Sequence, residues 1–211
     1  PWIRNNHPDL FYITSYRAMR GMYRGGDSAL TSPEWLKAHI CCDHGPLGEV
    51  YPIYDGGDIF SRRLGKVRGV KEGDTPSFLY LIPNGLSDPM RPSWGSWGGR
   101  FIGLGNRYFD AMDTFEGKTN ELATVYRWRA AYQADFQGRM DWCVKSFTEA
   151  NHAPVARLEH SSNLIVAPGD LVELSAVGSY DPDGDELTYK WEFYRDCSGY
   201  KDELIIEDSN C

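Results

Sequence analysis

The apolar residues of this chain change period once, and that change limits what the chain can fold into. Tyr132, Phe136, Met140, Cys143, Val144 and Phe147 recur at spacings of three and four, which lays one apolar face along an amphipathic helix. Beyond Asn151-His152-Ala153-Pro154 the period becomes two. Val155-Ala156-Arg157-Leu158, Leu171-Val172-Glu173-Leu174-Ser175-Ala176 and Leu187-Thr188-Tyr189-Lys190-Trp191-Glu192-Phe193 read as short strands. Turns separate them at Pro168-Gly169-Asp170 and Gly178-Ser179-Tyr180-Asp181-Pro182-Asp183-Gly184-Asp185. One element cannot satisfy both periods, so a boundary is expected there: a first domain over 1–153 and a second over 154–211.

Within the first domain, Leu10-Phe11-Tyr12-Ile13 suits a buried strand, and Thr31-Ser32-Pro33-Glu34 before Trp35-Leu36 offers a capping box with an early proline. Alternation of strand and helix favours an α/β fold. From about Cys42 to Asn106 the chain is rich in Gly and Pro and reads as long ordered loops, which in a compact domain tend to be functional. The second domain has the pattern of a β-sandwich. A complete immunoglobulin-type sandwich takes about seven strands and roughly 100 residues, so 154–211 is expected to hold part of one.

Composition excludes some partners. A net charge of −8 provides no electrostatic footprint for nucleic acid or for an anionic membrane face. No run approaches the roughly 18 apolar residues that span a bilayer. The 41% hydrophobic content is enough to build real cores. Of five cysteines, Cys197 and Cys211 share one strand-rich segment and form a candidate disulfide, while adjacent Cys41 and Cys42, with no C-x-x-C, read as buried thiols. No G-x-S-x-G, P-loop or H-E-x-x-H pattern occurs, which removes the serine-hydrolase, nucleotide-binding and zinc-protease readings.

Several segments remain as candidates for chemistry. In Glu72-Gly73-Asp74-Thr75-Pro76-Ser77-Phe78-Leu79-Tyr80-Leu81-Ile82-Pro83-Asn84-Gly85-Leu86, Thr75 reads as an N-cap, Pro76 as the first helical residue and Pro83 as the stop. Asp74 then stands at a helix mouth, where negative charge is favoured. Trp94, Trp97 and Arg100 lie in a glycine-rich loop that can leave indole faces open to a sugar ring, with a guanidinium beside them. Asp181, Asp183 and Asp185 alternate like the first half of a calcium loop, although an Asp/Gly turn between strands accounts for them as well. Trp128 and Trp142 fall on helical segments and read as core; His44 and His152 read as structural.

The motifs Pro1-Trp2-Ile3-Arg4, His44-Gly45-Pro46-Leu47-Gly48 with Tyr51-Pro52, the Glu72 to Leu86 stretch, Trp94-Gly95-Ser96-Trp97-Gly98-Gly99-Arg100, Arg127-Trp128-Arg129, Asp141-Trp142-Cys143 and Ala150-Asn151-His152-Ala153-Pro154 together resemble the nucleoside-hydrolase-like domain of cellulose-binding proteins. Gly178 to Phe193 is similar to the polycystic-kidney-disease-type (PKD) sandwich that follows it. The resemblance implies an α/β, Rossmann-like domain, incomplete at its N-terminus, followed by a partial Ig/PKD-like sandwich. It also implies a secreted protein associated with cellulose or a related polysaccharide. By the same comparison Asp74 is a calcium ligand, and Gly73 stands where active nucleoside hydrolases carry histidine, which leaves Glu72 as the candidate acid. The aspartates that hold most of the calcium have no counterpart in residues 1–30, where Asp9 and Asp27 are isolated, and are expected upstream or on another chain. Two alternatives follow. One is a calcium-dependent glycoside or N-riboside hydrolase acting on a saccharide or riboside; the other is a component of an extracellular assembly, a homo-oligomer included, in which a neighbouring strand completes the sandwich.

Overall fold

The computed structural model describes residues 2–56, 67–82, 87–200, 202 and 204–207. A short helix, α1 (Trp2–Asn6), leads to strand β1 (Tyr12–Thr14), which takes only the last two residues of the expected apolar run and is half-buried, with Leu10 and Phe11 exposed before it. This strand pairs in parallel with β3 (Arg107–Asp110), which pairs antiparallel with β2 (Phe101–Leu104), so the sheet order is β1-β3-β2. Two side chains lock that sheet. Asn106 donates to the carbonyls of Pro8 and Leu10 at 2.8 and 2.9 Å, which fixes the entry of β1. The Asp110 carboxylate accepts from the backbone N–H groups of Tyr16, Arg17 and Ala18, at the start of a 3-10 turn over Ala18–Met22. An anion at a helix start pairs with donors that would otherwise be orphaned.

Helix α2 (Pro33–Leu36) begins at the expected proline, but its cap differs from the expected box: Ser32 is the N-cap and its Oγ accepts from the Trp35 amide at 3.1 Å, while the Thr31 hydroxyl donates to the Ser28 carbonyl. It runs on into a wide turn over Lys37–Cys41. Short helices α3 (Gly45–Val50) and α4 (Thr75–Leu79) interrupt the long loops. A hairpin of β4 (Asp113–Phe115) and β5 (Lys118–Asn120) then leads to α5 (Ala123–Tyr126) and the long α6 (Arg129–Trp142). The core has two clusters, one built on Ala18, Met22, Leu79, Trp97, Val125 and Tyr132, the other on Leu36, Ile40, Val70 and Met140. Helix α6 serves both, with Tyr132 and Met140 about two turns apart on one face. It stops at Trp142, so Val144 and Phe147, expected on the same face, lie beyond it and are exposed. Trp142 is also not a core residue: it is 41% exposed, and its ring stacks on His152 with centroids 5.6 Å apart.

After Pro154 the described residues carry less regular structure than their alternation suggests. Among the described residues after Pro154 no strand forms; Val155 and Tyr180 make an isolated antiparallel bridge, Glu159 donates to the Ser175 carbonyl at 3.1 Å, and Arg195–Cys197 form a 3-10 turn. Strand alternation stabilises a sheet only when the apolar side meets a facing surface. Here Ile165, Leu171 and Val177 are exposed, with no facing sheet. Cys197 carries a free thiol whose Sγ donates to the Tyr194 carbonyl, and Cys211 lies outside the described residues. Cys41 is half-buried and Cys42 exposed, so only the first approaches the buried thiol expected of both.

Candidate functional site

The Trp-Gly loop folds inward rather than outward. Ser96 and Gly99 exchange two backbone hydrogen bonds of 3.0 Å, and Ser96 Oγ accepts from the Gly98 amide at 3.1 Å. Gly98 packs so closely on α4 that a Cβ there would lie 2.1 Å from the Pro76 carbonyl oxygen. That approach carries Trp97 into the first core cluster, where it is 9% exposed. Arg100 is 6% exposed; its Nε donates to Asp113 Oδ1 at 2.7 Å and its Nη2 to the Met112 carbonyl at 2.6 Å. The expectation that Trp97 and Arg100 stand open beside a sugar is therefore corrected for both. Trp94, 40% exposed with the Arg91 guanidinium 5.1 Å from its ring, keeps the expected exposure.

Asp113 is the centre of the arrangement. Its fully buried carboxylate accepts from Arg100, from Arg127 Nη1 at 2.8 Å and from the Tyr194 hydroxyl. Arg127 also pairs with Asp196 at 3.1 Å and lies over the rings of Tyr194 and Trp128, at 4.1 and 5.3 Å from their centroids. Burial, with the Asp113 charge added, pushes the Tyr194 phenol well above its ordinary range, so it stays a neutral donor. Arg129, next but one in sequence, turns the other way and donates to the carbonyls of Gly21, Gly25 and Asp27.

This cluster ties Tyr194 and Asp196 to the Asp113 and Arg127 side chains, and Arg127 and Tyr194 border a cavity of about 760 Å³. Trp94, Trp97, Trp128, Tyr189, Trp191 and Tyr194 supply its aromatic wall, and Ser96, Arg127, Lys190 and Glu192 its polar groups. Gly95, at φ 86°, makes room for it: a Cβ there would meet the Tyr194 ring at 2.9 Å. Trp97 thus reaches the candidate site as part of a packed wall. Sequence reasoning missed Asp113, Arg127, Trp191 and Tyr194. The local sequence signal was the aromatic content of the segment 187–192, all six residues of which line the cavity, so alternation does not single out its lining.

The acidic candidates are placed separately. Glu72 accepts from the hydroxyls of Tyr51 and Thr75. Asp74, rather than Thr75, takes the cap position of α4 and is exposed, with no side-chain capping bond. Asp183 accepts from the His152 amide at 2.6 Å and ring Nδ1 at 2.9 Å, Asp181 accepts from the Asp183 amide at 2.8 Å, and Asp185 is exposed. His44 is buried with Nε2 3.3 Å from Asp141. Among the described residues no three His, Cys, Asp or Glu side chains converge. Calcium takes about six to eight oxygen ligands, so neither Asp74 nor the Asp181, Asp183 and Asp185 turn fits that ion with the residues described.

With that geometry in place, the class of fold is nucleoside-hydrolase-like. A nucleoside hydrolase-related hypothetical protein from Saccharophagus degradans, associated with carbohydrate metabolism, superposes with a TM-score of 0.69 at 32% identity, over 99% of this chain and 49% of its own. The chain thus spans about half the length of that structure. Residues 1–101 match the family described as cellulose-binding Sde182, nucleoside hydrolase-like domain, and residues 171–210 match the C-terminal domain of cellulose-binding protein Sde0182. No curated protein matches the chain. Among the described residues no helix is long and apolar enough to cross a membrane.

Proposed function

We propose that this chain contributes a carbohydrate-binding site to an extracellular protein, and that the aromatic cavity takes a polysaccharide of the cellulose class. The observation that carries this reading is the wall of four tryptophans and two tyrosines around 760 Å³, held in place by a buried charge cluster. The axial C–H faces of a pyranose are apolar and stack on such rings, while its equatorial hydroxyls need polar partners, which Arg127 and the exposed Lys190–Glu192 pair supply at the same wall. The two cellulose-binding families matched at either end of the chain support the same class. A sandwich of the Ig/PKD type for 154–211 belongs to this reading too, and the alternation of its apolar residues supports it.

Isothermal titration with a soluble cello-oligosaccharide tests the site. Wild type should bind, and Trp191→Ala should weaken binding about tenfold or more, the equivalent of roughly 1.4 kcal/mol. Equal affinity in both proteins would remove the cavity from the account.

A calcium-dependent glycoside or N-riboside hydrolase is the second reading, favoured by the fold and by the exposed Asp74 at the start of α4. It requires further ligands beyond the described residues. Calcium titration of wild type against Asp74→Ala distinguishes it: binding lost with Asp74 supports a hydrolase-type metal site, and binding unaffected by the substitution rules Asp74 out.

A further inference from the structure

A second cleft, of about 530 Å³, lies between α3, α4 and α6, away from the aromatic cavity. Leu47, Val50, Val70, Phe78, Leu79 and Met140 make most of its wall apolar. Tyr51 and Phe136 add aromatic faces, with centroids 5.5 Å apart. Three charged residues line it: Glu72, Asp135 and Arg139. Arg139 is committed to Asp135 at 2.6 Å and lies over the Trp142 ring at 5.4 Å. The Gln133 amide is likewise taken up by the Leu30 carbonyl at 2.6 Å.

Glu72 is different. Its two oxygens accept from neutral hydroxyls, those of Tyr51 and Thr75, and among the described residues no cation pairs with it. A half-buried carboxylate in an apolar cleft is costly without a countercharge. Aromatic faces beside it attract a cation by their quadrupole. Among the described residues, the groups that neutralise one another leave one negative charge, that of Glu72, without a countercharge, and the wall around it favours an apolar body.

We propose that this cleft is a binding site for a small organic ammonium ion carrying an apolar group, with the charge at Glu72 and the body against Phe136 and the α4 side chains. The site is independent of the saccharide reading. Its fit is by charge complementarity and size, since clefts of roughly 300 to 1,000 Å³ hold small molecules.

Phenethylammonium chloride and its uncharged counterpart 2-phenylethanol, titrated into the full chain, form the test. The ammonium should bind with a Kd of about 1 mM or tighter, and at least tenfold more tightly than the alcohol. Glu72→Gln, which keeps an oxygen acceptor for one of the two hydroxyls, turns an amide donor to the other and removes the charge, should abolish that preference while leaving the near-UV circular dichroism unchanged. Equal binding of the two probes by wild type overturns the proposal without requiring any variant. So does failure of wild type to bind either probe, or a preference that persists in a folded Glu72→Gln protein.

Discussion

Asp113 shows how much one side chain carries here. It is fully buried and accepts from Arg100, Arg127 and Tyr194, residues that come from the Trp loop, the α5–α6 junction and the segment after Pro154. Asp113→Ala leaves the buried Arg100 guanidinium without its counter-ion and the partly buried Arg127 with Asp196 alone, and breaking a buried pair by removing one partner costs about 3 to 5 kcal/mol. Urea unfolding should report a loss of that order; a loss within about 0.5 kcal/mol, the size of an ordinary surface change, would contradict the role assigned to it. Gly98→Ala should also destabilise, by about 1 to 3 kcal/mol, because the added methyl meets backbone that cannot swing aside. A melting temperature equal to that of wild type would show that the loop relaxes freely. These residues also mark what the sequence could show. That Trp97 and Arg100 matter is legible from the Trp-Gly-Gly-Arg run. Which way they face depends on Gly98 meeting α4 and on Asp113 thirteen positions along, and no local period encodes either contact.

Among the elements, α6 and the start of α2 were readable because their signals are local: a repeat of three and four, and an early proline; the cap itself falls on Ser32 rather than on a box closed by Glu34. The end of α6 was not, since Cys143, Val144 and Phe147 keep the apolar spacing after the helix has stopped. The strands expected after Pro154 depend on a facing surface, which period alone does not supply. What anchors that segment instead includes the pair of His152 with Asp183, where the His152 ring also lies 4.2 Å from that of Phe147. The hydrogen bonds from the His152 ring and amide hold the Asp183 carboxyl below its ordinary value of 3.8. A carboxylate depressed in the folded state adds stability that is fully present above the unfolded value, and that is lost as pH falls through the lower folded one. The anchor should therefore hold above about pH 4 and release in acid. Carbon-detected NMR titration of Asp183 checks this: in His152→Ala the midpoint should rise toward the ordinary value, and an unmoved midpoint would show that His152 is not the cause.

At the scale of the whole molecule, the proposed saccharide site draws on both ends of the chain. Trp94, Trp97 and Trp128 come from before Asn151, Tyr189, Trp191 and Tyr194 from after Pro154, and the Arg127 pairs with Asp113 and Asp196 join the two segments. A net charge of −8 gives no general attraction to polyanions, so affinity rests on stacking and hydrogen bonds rather than long-range charge. Binding should then be nearly independent of salt, since screening acts on charge pairs and not on ring faces. Depletion of the protein from solution by microcrystalline cellulose, measured at low and high salt for wild type and for a Trp94→Ala, Trp191→Ala double variant, tests this claim most directly. The account predicts retention of wild type at both salt concentrations and a loss of at least tenfold in the variant. Retention of the variant equal to wild type, or release of wild type by salt, would contradict it.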